Sequence, residues 1–175
     1  TLTDSELLSD KTEAVLMAVH PGARTGVGLA GAWFLDGQRD TPDDLQDVPY
    51  RPQDTLLLSA AEQLLAYWQN ARQRFDVELD LIGTAFQREV WQLLMAIGPG
   101  EQRSYGDIAR DLGKPKAFRA VGMAVGRNPL SIIVPCHRIM GQQGTLTGYS
   151  GGLHRKVSLL RHEGFRVEGQ QVLWT

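Results

Sequence analysis

Among its 175 residues the chain has a single cysteine, Cys136. An intrachain disulfide is therefore impossible, and a lone thiol suits a reducing compartment. There is no apolar run near the ~20 residues that span a bilayer, so no membrane partner is expected. Residues 1–13 are polar and acidic, without the basic flank and apolar stretch of a secretory leader. A cytoplasmic location is the expectation. Histidine is scarce too: His20, His137, His154 and His162 show no metal-binding spacing, and the first half of the chain has no cysteine. Neither a metal nor any other cofactor is expected.

What is present is ordinary in bulk and uneven in detail. Hydrophobic residues make up 42%, enough to bury a core in one domain or two small ones. The net charge of −2 conceals an asymmetry. Residues 1–81 carry 6 Lys/Arg against 14 Asp/Glu, whereas residues 82–175 carry 12 against 6. Such a basic half either meets a polyanion or differs from its neighbour by chance; charge alone leaves both readings open.

The hydrophobic pattern predicts an α+β fold in two parts. In the first, residues 1–82, two strands (15–19 and 27–35) are joined by a turn at Pro21-Gly22 and form a short antiparallel sheet. Residues 36–54, acidic and holding Pro42, Pro49 and Pro52, read as a loop. A helix over 56–73 turns Leu57, Ala61, Leu64, Leu65 and Trp68 inward. Phe75, Val77, Leu79 and Leu81 alternate with polar residues as in a strand. A boundary falls near Gly83. The second part, residues 83–175, is mostly helical. Thr84 and Gln87 make a capping box for a helix through Val90, Trp91, Leu94 and Ile97, which stops at Gly98-Pro99-Gly100. Ser104 caps a second helix with Ile108, Ala109 and Leu112 inward. Gly113-Lys114-Pro115 ends that helix, and a third covers 116–125. The spacing of Ala109 and Gly113 is that of a winged-helix-like helix-turn-helix or of an ordinary helix pair. Residues 130–134 predict a short apolar strand running into Pro135-Cys136-His137-Arg138. Residues 141–152, with five glycines, form a loop long and polar enough to line a site. A helix over 153–162 buries Leu159 and Leu160, and the tail from Phe165 adds a strand or frays.

Cys136 is the candidate nucleophile. A free thiol of pKa ~8.5 is mostly protonated at neutral pH, and a nearby imidazole, oriented by a carboxylate, can take its proton. Neighbours on a strand face opposite sides, so Cys136 and His137 act together only if the strand has ended there. Taken alone, the pair favours a buried, inert thiol beside a surface histidine.

Its flanks weigh the other way. Arg119-Ala120-Val121-Gly122, Asn128-Pro129, Val134-Pro135-Cys136-His137-Arg138-Ile139 and Gly148-Tyr149-Ser150-Gly151-Gly152 follow in order. Together they resemble the signature of the methylated-DNA–protein-cysteine methyltransferases, the 6-O-alkylguanine-DNA alkyltransferases, in detail over residues 84–164. The resemblance implies a single-turnover enzyme that flips an alkylated guanine, and possibly 4-O-alkylthymine, out of double-stranded DNA from the minor groove. Cys136 keeps the alkyl group irreversibly. It further implies that His137, through a water and supported by Glu163, generates the thiolate, that Tyr105 protonates the leaving guanine, and that Asn128 braces the turn before the cysteine. By the same resemblance, Arg119 would fill the gap left by the flipped nucleotide. Ala117, Ala120 and Gly122 allow close approach to the groove, while Lys114, Lys116, Arg127 and Arg138 are candidates for phosphate contact. The resemblance also implies that Ser131, Ile139, Tyr149 and Ser150 frame the base. A monomer acting on alkylated duplex DNA is expected. Phe118 and Met123 depart from the family pattern, which carries small residues there.

Overall fold

The structure is a computed structural model that describes residues 28–34, 38–41 and 51–173, together with the backbone of residues 14–19. Strand β1 (Ala14–Val19) pairs antiparallel with β2 (Gly28–Phe34), from Ala14 opposite Phe34 to Val19 opposite Gly28. The expected Pro21-Gly22 turn, the ends of the second strand at Val27 and Leu35, and Pro42 and Pro49 lie outside the described residues. So does His20.

β2 is the pivot of the fold. All seven of its residues are buried, and it meets the rest of the chain through two parallel bridges, Leu29 with Leu79 and Ala32 with Leu130. Leu29 N donates to Glu78 O at 2.8 Å and accepts at its carbonyl from Asp80 N at 3.0 Å; Ala32 N donates to Pro129 O and Ala32 O accepts from Ser131 N. The strands expected at 75–81 and 130–134 are thus each reduced to one bridge. At 130–134 the reason is local. Val134 N bonds back to Leu130 O, and Ile132 takes φ 72°, a left-handed conformation that a β-branched side chain adopts only under strain. The apolar run is buried as a turn.

Helix α1 (Thr55–Gln69) is capped by Asp54, whose Oδ1 accepts from Leu56 N and Leu57 N. Ala60 and Tyr67 are its buried residues, while Leu65 is 61% exposed. The inward stripe is therefore rotated from the expected one, and the helix ends four residues short of Gln73, its last carbonyls closed by Asn70 N on Ala66 O. α2 (Ala85–Met95) begins with the Thr84/Gln87 capping box and buries Val90, Trp91 and Leu94. α3 (Tyr105–Asp111) begins with a second box between Ser104 and Asp107. A turn that includes Gly113 at φ 69°, where a side chain would be strained, leads to α4 (Phe118–Gly126). Trp91 Nε1 donates to Ala124 O at 2.8 Å, tying α2 to α4. β3 (Arg103–Ser104) runs parallel to β4 (Ile139–Met140). Helix α5 (Leu153–His162) and the hairpin of β5 (Arg166–Glu168) and β6 (Gln171–Leu173) finish the chain.

One buried cluster joins Leu29, Ala32 and Ala60 to Trp91, Leu94, Val121, Leu130, Cys136 and Ile139, so it draws members from both sides of Gly83. Each such side chain, fully buried, contributes roughly 1.5–3 kcal/mol for the larger apolar types. Cys136 therefore lies in the main core. No helix among the described residues is long and apolar enough to cross a membrane. The overall class is α+β.

Candidate active site around the buried cysteine

Asn128, just beyond the C-terminus of α4, organises the approach to Cys136. Its side chain is buried and forms four hydrogen bonds. Nδ2 donates to Leu130 O at 3.3 Å, to Val134 O at 2.9 Å and to Cys136 Sγ at 3.0 Å, and Oδ1 accepts from Leu130 N at 3.0 Å. One amide thus clips the strained 130–134 turn and touches the thiol. Cys136 then opens a 3-10 turn, Cys136–Arg138, rather than ending a strand. At three residues per turn, successive side chains point about 120° apart, so Cys136, His137 and Arg138 look in three directions from one point. Cys136 itself is 2% exposed.

His137 and Arg138 both reach Glu163, the residue that closes α5. His137 Nε2 lies 2.8 Å from Glu163 Oε1. Arg138 donates through Nε to Oε2 at 2.9 Å and through Nη2 to Oε1 at 2.8 Å, while its Nη1 reaches Ile97 O at 2.5 Å. Tyr67 Oη adds a further donor at 2.9 Å. The side chains of His137 and Glu163 are fully buried. This corrects one expectation: Arg138 is a buried partner of Glu163 and has no free face for a phosphate.

The electrostatics follow from burial opposed by these contacts. Burial pushes Glu163 up, but the hydrogen bonds and charges of His137 and Arg138 outweigh it and hold the carboxyl at about 2. Burial drives His137 below the usual imidazole range against the pull of Glu163, so its ring is neutral at neutral pH. With Nε2 committed to Glu163, Nδ1 is buried without a partner among the described residues. Among the described residues no hydrogen bond joins His137 to the Cys136 sulfur. Burial pushes the Cys136 thiol up; the Asn128 hydrogen bond and the Lys156 ammonium work in the opposite direction.

Lys156 is the residue that the sequence reading missed. It is fully buried on α5, and its Nζ donates to Ile139 O at 2.5 Å. Burial lowers it to about 8, and the nearby Cys136 raises it. The available signal was helical periodicity, since Lys156 shares the inward face with Leu159 and Leu160.

Of the other expected pocket residues, Ser131 Oγ donates to Gln38 Oε1 at 3.0 Å, and Ser150 O accepts from Arg39 N. The Tyr149 hydroxyl, buried and without a well-formed hydrogen bond, is within electrostatic reach of Cys136 and Ser131. Gly151 has no room for a side chain, because a Cβ would come within 2.8 Å of the Tyr149 ring. Ile139 is fully buried beside Lys156. Tyr105 Oη and Thr147 Oγ1 share a 2.8 Å hydrogen bond, and burial keeps the Tyr105 proton in place by raising its pKa. A Cβ at Gly122 would meet the Tyr105 ring at 3.7 Å, an ordinary contact.

The remaining candidates lie on and around the outer face of α4. Lys114, Lys116, Arg119 and Arg127 are exposed; Ala117, Ala120 and Gly122 are half-buried. Lys114 is already engaged, 3.5 Å from Glu89 and over the Phe86 ring. Phe118 and Met123 are 49% and 64% exposed, and the Arg119 guanidinium lies 5.8 Å from the Phe118 ring centre. A cavity of about 990 Å³ opens beside this face, with Gln102, Tyr105, Phe118, Met140 and Gln142 among its walls. No group of three His, Cys, Asp or Glu side chains among the described residues is placed to hold a metal ion.

Comparison with known proteins adds independent findings. Residues 85–165 match the family described as "6-O-methylguanine DNA methyltransferase, DNA binding domain". A methylated-DNA–protein-cysteine methyltransferase of Mycobacterium leprae is 51% identical over 120 residues, covering 69% of this chain and 73% of that relative. One from Salmonella typhimurium is 47% identical over 134 residues, covering 73% and 78%. The crystal structure of Mycobacterium tuberculosis OGT in complex with DNA is 43% identical and superposes with a TM-score of 0.67, covering 85% of each chain.

Proposed function

Since the chain belongs to the methylated-DNA–protein-cysteine methyltransferases, an enzyme family that repairs DNA by alkyl transfer, we propose how its own residues perform the reaction. The observation that carries the reading is the setting of its only cysteine. Cys136 is hydrogen-bonded by Asn128 and is the neighbour of a neutral histidine whose far nitrogen is held by a carboxylate.

Glu163 fixes the His137 ring with a proton on Nε2 and leaves Nδ1 to accept one. A water against Nδ1 passes the thiol proton to it. The Cys136 sulfur attacks the alkyl carbon on O6 of guanine; the S–C bond forms as the C–O bond breaks, and its electron pair stays with the guanine. Tyr105 hands a proton to the departing guanine, which leaves as a neutral base, and Tyr105 is reprotonated at the expense of His137 through solvent. Asn128 and Lys156 stabilise the sulfur anion on the way. Nothing in the site removes the alkyl group from the thioether, so each molecule acts once. The same displacement serves 4-O-alkylthymine, whose alkyl carbon hangs on an equivalent oxygen.

A thiol only 2% exposed cannot reach a stacked base, so the base must come to it. Flipping costs a few kcal/mol, less for a weakened pair, and a wedge in the vacancy offsets part of that. Arg119 is the wedge on exposed α4, which enters the minor groove with Ala117, Ala120 and Gly122 permitting close approach. Lys114, Lys116 and Arg127 contact phosphates. Ser131, Ile139, Tyr149 and Ser150 frame the flipped base. Residues 83–175 carry the DNA contacts and the thiol, and residues 1–82 brace them in a monomer.

Mass spectrometry of the protein after incubation with a duplex containing 6-O-methylguanine tests this. The Cys136 peptide should gain one methyl group, and Cys136→Ser should bind the duplex without transfer. Methyl on any other residue, or transfer by Cys136→Ser, defeats the assignment.

A further inference from the structure

The carboxylate that steadies His137 is itself held by a residue from the other half of the chain. Tyr67, on α1, is fully buried, and its Oη donates to Glu163 Oε1 at 2.9 Å, across 96 positions of sequence. That is the same oxygen that His137 Nε2 approaches at 2.8 Å. We propose that Tyr67 is a positioning residue for the transfer reaction: its hydroxyl sets the orientation and charge of Glu163 and, through it, the basicity of His137. The proposal rests on the proton relay given above.

Packing alone does not account for the hydroxyl. A phenylalanine would fill the same space against Phe75 and Trp68, whose ring centres lie 5.8 and 5.4 Å away. The contact is also held from a second side, because His162 Nε2 lies 2.8 Å from Tyr67 O and its ring meets the Tyr67 ring edge-on at 5.1 Å. α1 is thereby locked onto the end of α5 by main chain and side chain at the residue before Glu163. Burial and the adjacent carboxylate keep the phenol protonated by raising its pKa, so Tyr67 can only donate.

Groups around Glu163 come from each element packed there: Tyr67 from α1, His137 and Arg138 from the 3-10 turn, and His162 beside it on α5. Lys156 and Tyr149 lie on the cysteine side. Arg138 occupies Oε2 and also bonds Oε1, so the charge left for His137 depends on what else Oε1 accepts. With the Tyr67 donor gone, more negative charge faces the imidazole, which then keeps a proton to higher pH and is less available as a base.

The test is single-turnover methyl transfer from a 6-O-methylguanine duplex, measured against pH for the parent, Tyr67→Phe, Glu163→Gln and the double variant. Rates are taken per molecule competent to bind duplex, so partial unfolding does not imitate a slow step. Tyr67→Phe should move the acidic limb of the profile upward and slow transfer about tenfold on that limb, the scale of one hydrogen bond to a charged group. In the Glu163→Gln background the same change should add nothing. An unchanged limb in Tyr67→Phe, or rate losses that multiply in the double variant, overturns the proposal while leaving the relay standing. Full activity in Glu163→Gln overturns the relay, and the role of Tyr67 with it.

Discussion

Asn128→Ala is the substitution for which the structure yields the most specific expectation. The Asn128 side chain makes four hydrogen bonds, but their loss is unequal. Leu130 O keeps Val134 N and Val134 O keeps Cys136 N, whereas Leu130 N has no other partner among the described residues and is stranded in the core. A buried unsatisfied amide costs about 1–3 kcal/mol. The vacated volume brings the destabilisation to about 2–4 kcal/mol, with relaxation of the strained Ile132 turn offsetting part of it. At about 2–4 °C per kcal/mol for a chain of this size, the Tm should fall by roughly 5–15 °C. The variant also removes the donor at Sγ, so the thiol should ionise at higher pH and transfer should slow. Asn128→Asp separates the two effects: it keeps an acceptor for Leu130 N but puts negative charge beside the sulfur, which should push the thiol up furthest. Thermal unfolding and thiolate absorbance against pH read both quantities. A stability change in Asn128→Ala within about 0.5 kcal/mol, the usual range for an uninvolved surface site, with an unshifted thiol titration, would refute the reasoning.

Acid should unfold the protein through the Glu163 site. A carboxyl held at about 2 in the native state, against its ordinary 4.5, contributes stability that is complete above the unfolded value and lost as pH falls from about 4.5 toward 2. The shift corresponds to at most about 3 kcal/mol, because part of it is the His137 charge, which appears only as that ring is itself protonated. His137, depressed by burial, adds loss in the same direction below its ordinary value. Denaturant midpoints against pH should fall accordingly, and less steeply in Glu163→Gln; equal slopes would contradict this. Lys156→Met removes the buried ammonium near Cys136 and should raise the thiol titration and slow transfer several-fold, without weakening duplex binding; an unchanged thiol pKa would argue against it. Methylation of Cys136 adds a methyl group where the side chain is 2% exposed, and such overpacking costs about 1–3 kcal/mol. Fully methylated protein should melt several degrees lower than unmodified protein, and identical melting curves would count against the packed site.

Local signals were legible in the sequence and non-local ones were not. The boxes at Thr84/Gln87 and Ser104 are made by residues three apart, so sequence alone identifies two helix starts. The apolar run at 130–134 reported burial correctly and the alternation at 75–81 did so except at Asp80, which is buried, but neither said anything of strand partners, which reduce to one bridge each on β2. The left-handed turn at Ile132 goes against side-chain preference and is held by Asn128, so no propensity predicts it. Arg138 read as a surface cation because its partner lies 25 positions away. Tyr67 had no motif and Lys156 only its helical spacing from Leu159 and Leu160, and what either one touches shows only in the packing of α1 and α5.

The most direct measurement follows the label. With a duplex carrying radiolabelled methyl on O6 of guanine and protein in excess, all label should move to protein, on Cys136. With DNA in excess, transfer should stop at one methyl per molecule, leaving intact unmodified guanine in the repaired strand. Continued turnover beyond one equivalent, or label released as methanol or free base, would contradict the account.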